Sequence, residues 1–194
     1  MSMPMEYPNN QRVWIRLGLG FVVVWIAYLA FFAPGEKQSG DLPPPELEGT
    51  ARTVPVDYEW TAEDLNGNPV KLSTFQGKPL FINVWATWCG PCLRELPAVE
   101  NLAANSKWKD RDLVFLAIST DNQADALKRF LKDKPIKGLT VLRATGPLPL
   151  ALDSDGIPAT FLIDREGKVV ASQIGSAAWD DPSVVDRLDK LSAK

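Results

Sequence analysis

The sequence predicts an α/β fold, a mixed β-sheet flanked by helices and preceded by one apolar helix and a linker. Three observations carry this. From residue 80 onward, apolar strand-like runs alternate with helix-period segments. Near the C-terminus, "ATFLID" and "KVVASQI" are joined by a charged turn ending in Gly167, the pattern of an antiparallel hairpin. A run without charge near the N-terminus has no place in such a domain. The chain has 194 residues, 45% hydrophobic and 23% charged, enough for one globular domain plus that extra segment.

The extra segment reads "LGLGFVVVWIAYLAFFA", Leu17 to Ala33. Counted from Val13 the apolar run is 21 residues, interrupted only by Arg16. As a helix it spans roughly 30 Å, enough to cross a bilayer. A core helix would show a polar face, and this run has none. A cleaved signal peptide would have a shorter apolar run and small residues before the cut, whereas Phe31 and Phe32 precede Ala33. Residues 13–33 are therefore expected to be a retained transmembrane anchor. Arg12 and Arg16 mark its near end, and Glu36, Asp41, Glu46 and Glu48 follow its far end. Basic residues stay inside, so residues 1–12 are expected to be a cytoplasmic tail and the rest of the chain to lie outside the cytoplasm. Residues 34–53, "PGEKQSGDLPPPELEGTART", hold little to bury and are stiffened at Pro43, Pro44 and Pro45. They are expected to be a linker reaching ~25 Å as coil or up to ~60 Å if extended. The folded domain is then residues 54–194.

Within it, Asn66-Gly67 separates two short strand-like runs, a hairpin signal. "PLFINVWA" is nearly continuous apolar and reads as a central strand buried on both faces. A helix follows from Pro91, with Leu96, Val99 and Ala103 on one face. "LVFLAIST" is a second buried strand. Asp121 or Asn122 is expected to cap the next helix, whose Leu127, Phe130 and Leu131 face the core. "LTVLRA" is a short strand. After the hairpin, Asp181-Pro182 starts a closing helix with Val184, Val185, Leu188 and Leu191 inward.

Composition narrows the chemistry. The net charge of −3 and the lack of a basic stripe argue against nucleic acid as a partner. With no histidine in the chain, Ser-His-Asp and Cys-His nucleophiles and His-based metal sites are excluded. Cys89 and Cys92, in "NVWATWCGPCLRELP", are the only cysteines. They fall where the buried strand ends and a helix begins. Pro91 suits a first helical turn because it has no N–H to leave unpaired. Cys89 then sits at the helix start, where free N–H groups and the dipole favour a thiolate, and Cys92 lies one turn deeper. One cysteine would attack a partner disulfide and the other resolve the mixed disulfide. A zinc site wants four ligands, of which the chain offers two thiols. Two thiolates alone suit Cu(I), so metal delivery stays open, as does a structural disulfide, although so small a loop constrains an unfolded chain little.

The surroundings of the pair resemble a known family. "WATWCGPC" is similar to the thioredoxin active site, with Trp88 before the first cysteine and Gly90-Pro91 between the two. Pro97, five residues past Cys92, matches that family's helix-kinking proline, and "GIPATFLID" resembles the loop carrying its cis-proline, here Pro158. Together with the anchor and linker, the motifs resemble TlpA/ResA-type membrane-anchored thioredoxin-like proteins from about Val54 to the C-terminus. The resemblance implies a thioredoxin-like fold with Cys89 and Cys92 as the redox pair. It implies that Trp88, Gly90, Pro91, Ile157 and Pro158 form the substrate-binding surface, with the backbone of Ile157 receiving an extended client segment. An X–Pro bond is cis only about 5% of the time in folded proteins, so only the resemblance makes Ile157-Pro158 cis. Where thioredoxin has a buried aspartate, this chain has Asn83, expected to satisfy backbone groups in the core. Glu95 follows Cys92 by three residues on the same helical face and is the local acid–base candidate, its competing reading a solvated surface glutamate.

The resemblance further implies a thiol–disulfide oxidoreductase of the bacterial inner membrane with its catalytic domain on the periplasmic or extracytoplasmic side. It needs no cofactor beyond its own cysteine pair. It would reduce disulfides of extracytoplasmic clients such as apocytochrome c or copper-site proteins and be reset by a membrane thiol electron donor. The alternative is a copper-binding or metal-delivery module using the same two thiols.

Overall fold

A computed structural model describes residues 41–47 and 50–193. The expected tail at 1–12 and anchor at 13–33 lie outside the described residues. Among the described residues, no helix is long and apolar enough to cross a membrane.

Seven strands form one mixed sheet in the order β2-β1-β5-β4-β3-β6-β7. They are β1 (Thr61–Glu63), β2 (Pro69–Lys71), β3 (Leu80–Trp85), β4 (Val114–Ser119), β5 (Thr140–Ala144), β6 (Ala159–Ile163) and β7 (Val169–Ile174). Among the described residues three α-helices accompany them, α1 (Gly90–Ala103), α2 (Ala124–Asp133) and α3 (Pro182–Ser192). β1 and β2 form the hairpin expected at Asn66-Gly67, with Gly67 at φ +86. β3, β4 and β5 run parallel, β6 runs antiparallel to β3, and β7 runs antiparallel to β6.

Helices were expected to flank the sheet; all three lie on one face. β3 alternates, Leu80, Ile82 and Val84 belonging to one packed cluster and Phe81 and Trp85 to the opposite side. Val99, Leu102 and Leu188 pack with Phe81, and Leu127 packs with Trp85, so α1, α2 and α3 share that side. The chain steps from β3 to β4 to β5 in one direction, and right-handed crossovers then put α1 and α2 on the same face. The other face is covered by Val56, Leu72, Ala151 and Leu152 from irregular segments and short 3-10 turns.

Three further expectations change. On α1 the buried residues are Cys92, Glu95, Ala98, Val99 and Leu102, with Leu96 and Ala103 half-buried at the margin. A stripe drawn from apolar residues alone omits Cys92 and Glu95, which lie inside it. Asp121 does not cap α2: Gln123 is the N-cap, without a side-chain bond, and Asp121 turns back to the strand ends. The stretch read as linker is docked from Pro43 onward. Pro43 O accepts from Ala178 N at 2.8 Å, Glu46 N donates to Gln173 Oε1, and Arg52 N donates to Val169 O. Arg52 also stacks 4.8 Å from the centroid of the Phe161 ring. Docking here satisfies the outer edge of β7, which would otherwise present free backbone groups. Tyr58 packs against the turn between β6 and β7 at Gly167 (φ +82), where a Cβ would come within 2.7 Å of its ring.

Candidate active site

β3 delivers the chain to the start of α1. Cys89 is the N-cap, with extended backbone (φ −83, ψ 99), and its Sγ accepts from Cys92 N at 3.2 Å. Pro91, in the first turn, has no N–H to compete for that sulfur. Cys89 and Cys92 are joined as a disulfide, their Cα atoms 5.2 Å apart. The expected contrast in exposure is small in this oxidised state, Cys89 being 4% and Cys92 2% exposed. Exposure belongs instead to Trp88, at 71%, and to Gly90 and Pro91. The sulfurs therefore lie just under a surface made by those three residues.

The facing wall is the loop entering β6. Its Ile157-Pro158 bond is cis, as the resemblance implied. Ile157 O lies 3.7 Å from Cys89 Sγ, with the Ile157 side chain half-buried. Pro158 is buried, and its carbonyl accepts from Gly175 N at 2.8 Å. Trp88, Gly90 and Pro91 adjoin the pair in the chain, Ile157 O faces Cys89 Sγ, and Pro158 follows Ile157.

Glu95 is not a surface residue. It is 1% exposed and lies on the inner face of α1. Asn83 Nδ2 donates to its Oε1 at 2.8 Å, while Ala177 N (3.1 Å) and Trp179 Nε1 (2.9 Å) donate to its Oε2. Burial drives its pKa up to about 7, against the lowering effect of these hydrogen bonds. Asn83 also donates to Thr160 Oγ1 at 2.9 Å, so it serves side chains rather than backbone groups. The reason is register: Asn83 pairs with Thr160 across β3 and β6, and both side chains fall on the α1 face.

A second buried acid holds the loop in front of the pair. Asp121 accepts from Thr87 N (3.0 Å), Thr87 Oγ1 (2.6 Å) and Ser119 Oγ (2.7 Å). Sequence reasoning missed Thr87, Asp121, Thr160, Ala177 and Trp179 as parts of the site. Asp121 at the carboxyl end of a buried strand was the one available signal. Trp179 stands outside every periodic pattern.

Reduced, the two thiols could also take a soft metal. Among the described residues no group of three or more histidine, cysteine, aspartate or glutamate side chains is placed to hold an ion.

A mixed sheet with a Cys-X-X-Cys disulfide at a helix start, faced by a cis-proline loop, defines the class of thioredoxin-like dithiol–disulfide proteins. The Redoxin family pattern matches residues 47–188, and the chain belongs to that family. It is 31% identical over 166 residues to the thiol-disulfide oxidoreductase ResA of Bacillus cereus (strain ATCC 10987 / NRS 248), spanning 82% of this chain and 83% of the relative. The ResA of Bacillus subtilis (strain 168) is 30% identical over 172 residues, 87% of this chain and 88% of its own. Among solved structures, a thioredoxin-family thiol:disulfide interchange protein of Chlorobium tepidum TLS is 27% identical with a TM-score of 0.56, covering 73% of this chain and 99% of that one. The protein is a thiol–disulfide oxidoreductase of the ResA type. Its family pattern begins at residue 47, inside the segment found docked on β7.

Proposed function

We propose that this protein is a membrane-tethered reductase of disulfides in other extracytoplasmic proteins, of the kind that serves cytochrome c maturation or copper-site assembly. The carrying observation is one juxtaposition: Ile157 O 3.7 Å from Cys89 Sγ, and the buried carboxyl of Glu95 one helical turn beyond Cys92. The uncharged run from Leu17 to Ala33, with Arg12 and Arg16 at its near end, supports the tether and the orientation.

In the reduced chain the Cys89 thiolate receives the Cys92 N–H and attacks one sulfur of a client disulfide. A Cys89–client bond forms, the client S–S bond breaks, and one client thiolate departs. Glu95 accepts the proton of the Cys92 thiol. The Cys92 thiolate then attacks Cys89 Sγ, closing the Cys89–Cys92 bond and expelling the second client thiolate. The client gains two electrons and the chain loses two. A membrane thiol donor, reacting by the reverse exchange, returns the pair to dithiol.

Trapping tests this reading. Cys92→Ser should accumulate mixed disulfides with client proteins, and Cys89→Ser should trap far fewer. The reduction potential should lie nearer the ~−270 mV of thioredoxin than the ~−120 mV of DsbA. A strongly oxidising potential would reverse the direction of electron flow. Failure of both variants to trap, with tight Cu(I) binding and no reduction of a test disulfide by the unmodified chain, would replace the reductase by a metal carrier. A reporter active only outside the cytoplasm, fused at Lys194, should be active, and a stable but inactive fusion would refute the orientation.

A further inference from the structure

The loop between β7 and α3 contains none of the residues that the sequence assigned to the site, yet it supplies two of the hydrogen bonds to Glu95, from Ala177 N and Trp179 Nε1. It is fastened to its neighbours. Ser176 Oγ donates to Pro91 O at 2.9 Å, Gly175 N to Pro158 O at 2.8 Å, and Ala178 N to Pro43 O at 2.8 Å. Trp179 is fully buried and stands edge-on to Phe81, ring centroids 5.2 Å apart. The indole cannot turn from Glu95 without opening the core between α1 and α3.

An indole N–H and a backbone N–H can only donate, so both groups facing Oε2 prefer an anion there. The Ala177 donor belongs to the backbone, and the Asn83 amide is shared with Thr160. Among the described residues Trp179 is thus the one rigid side chain whose donor serves Glu95 alone. No charged group of β3, β6 or the loop hydrogen-bonds Glu95, and its titratable neighbour on the inner face of α1 is Cys92. Arg94 is exposed, Asp180 accepts from Asn101 Nδ2, and Asp181 caps α3.

We infer that Trp179 is a positioning residue for disulfide exchange: its indole N–H fixes Glu95 in the anionic form that accepts the proton of Cys92. The inference rests on the proton-accepting role given to Glu95 in the proposed function. The proton passes from Cys92 Sγ to a Glu95 oxygen and on to solvent, so the donor decides how far below neutrality the resolving thiolate still forms.

The test follows the Glu95 carboxyl carbon by NMR in the oxidised full chain in detergent micelles, native against Trp179→Phe. Phenylalanine keeps an aromatic ring against Phe81 and removes the donor. The Glu95 midpoint should rise by about one to two pH units, the loss expected for a hydrogen bond to a charged group. In the reduced chain, the acid limb of the rate on a fluorescent disulfide-linked peptide should move up with it, leaving the alkaline plateau in place. A packing role alone would lower melting temperature and rate at every pH with the midpoint unmoved, and that result overturns the inference. If Trp179→Phe does not fold, the native chain decides: the Trp179 Nε1–H resonance should titrate with the Glu95 midpoint, and a flat resonance overturns it. Glu95→Gln separates the two claims. An unchanged acid limb in that variant refutes Glu95 as proton acceptor, while the carboxyl and indole titrations still decide whether Trp179 governs Glu95.

Discussion

Glu95 and Asp121 are both buried acids beside the same cysteine pair, and they are built to opposite ends. Each accepts three hydrogen bonds. Asp121 stands where β4 ends, and two of its partners are the hydroxyls of Thr87 and Ser119. It ties the residue before Trp88 to the strand ends, which fixes the approach to Cys89. Glu95 lies inside the layer between helix and sheet, with only N–H donors around it. Burial outweighs those donors and leaves its pKa at about 7, where it can exchange a proton near neutral pH. Two acids of similar exposure thus differ in setting, Asp121 as a clamp and Glu95 as the group proposed to carry the proton.

The largest effect that would sharpen this division is kinetic. Glu95→Gln should slow resolution of the Cys89–client adduct by about 10²-fold near pH 8, the usual scale for one general base, and should remove the acid limb of the rate profile. Stopped-flow measurement of client release checks it, and a full-speed variant breaks the division.

The next effect is on stability. Glu95 titrates at 4.5 when unfolded and at about 7 when folded. Between those values the folded chain keeps a proton that the unfolded chain has lost, so stability falls as pH rises through the window. Below it both states are protonated and no penalty exists; above it the penalty is constant, about 3 kcal/mol in all. Urea unfolding of the native chain and Glu95→Gln at pH 4 and pH 8 should show the variant gaining on the native chain by that order. Equal pH dependence would mean that Glu95 titrates normally.

Asp121→Asn should cost about 1–3 kcal/mol, because an amide turns its own donors toward the Thr87 and Ser119 donors. Exchange should slow equally at every pH, with the acid limb in place. A displaced limb would show that Asp121 shares the proton work. The smallest effect belongs to Thr87→Val, which removes one hydroxyl from the clamp and should cost about 1 kcal/mol in urea unfolding.

Much of the site was legible because local chemistry defines it. The strand-to-helix step, Pro91 in the first turn and the three-residue spacing put Cys89 at the helix start and Cys92 one turn on, and the structure agrees. The hairpin at Gly67, the closing hairpin at Gly167 and the Asp181 cap were legible for the same reason: turn and cap residues act on their immediate neighbours.

The sequence by itself determined the redox pair, the order of strands and helices, and the uncharged run before them, since each depends on residues a few positions apart. Tertiary structure alone decided that Glu95 is buried, that Asn83 and Trp179 meet it from residues 12 and 84 positions away, and that Asp121 clamps Thr87 across 34. It also decided that the chain from Pro43 lies along β7. Periodicity records which face of an element is apolar. It does not record which distant donors will surround a polar residue on that face, and burial against those donors is what brings Glu95 near neutrality.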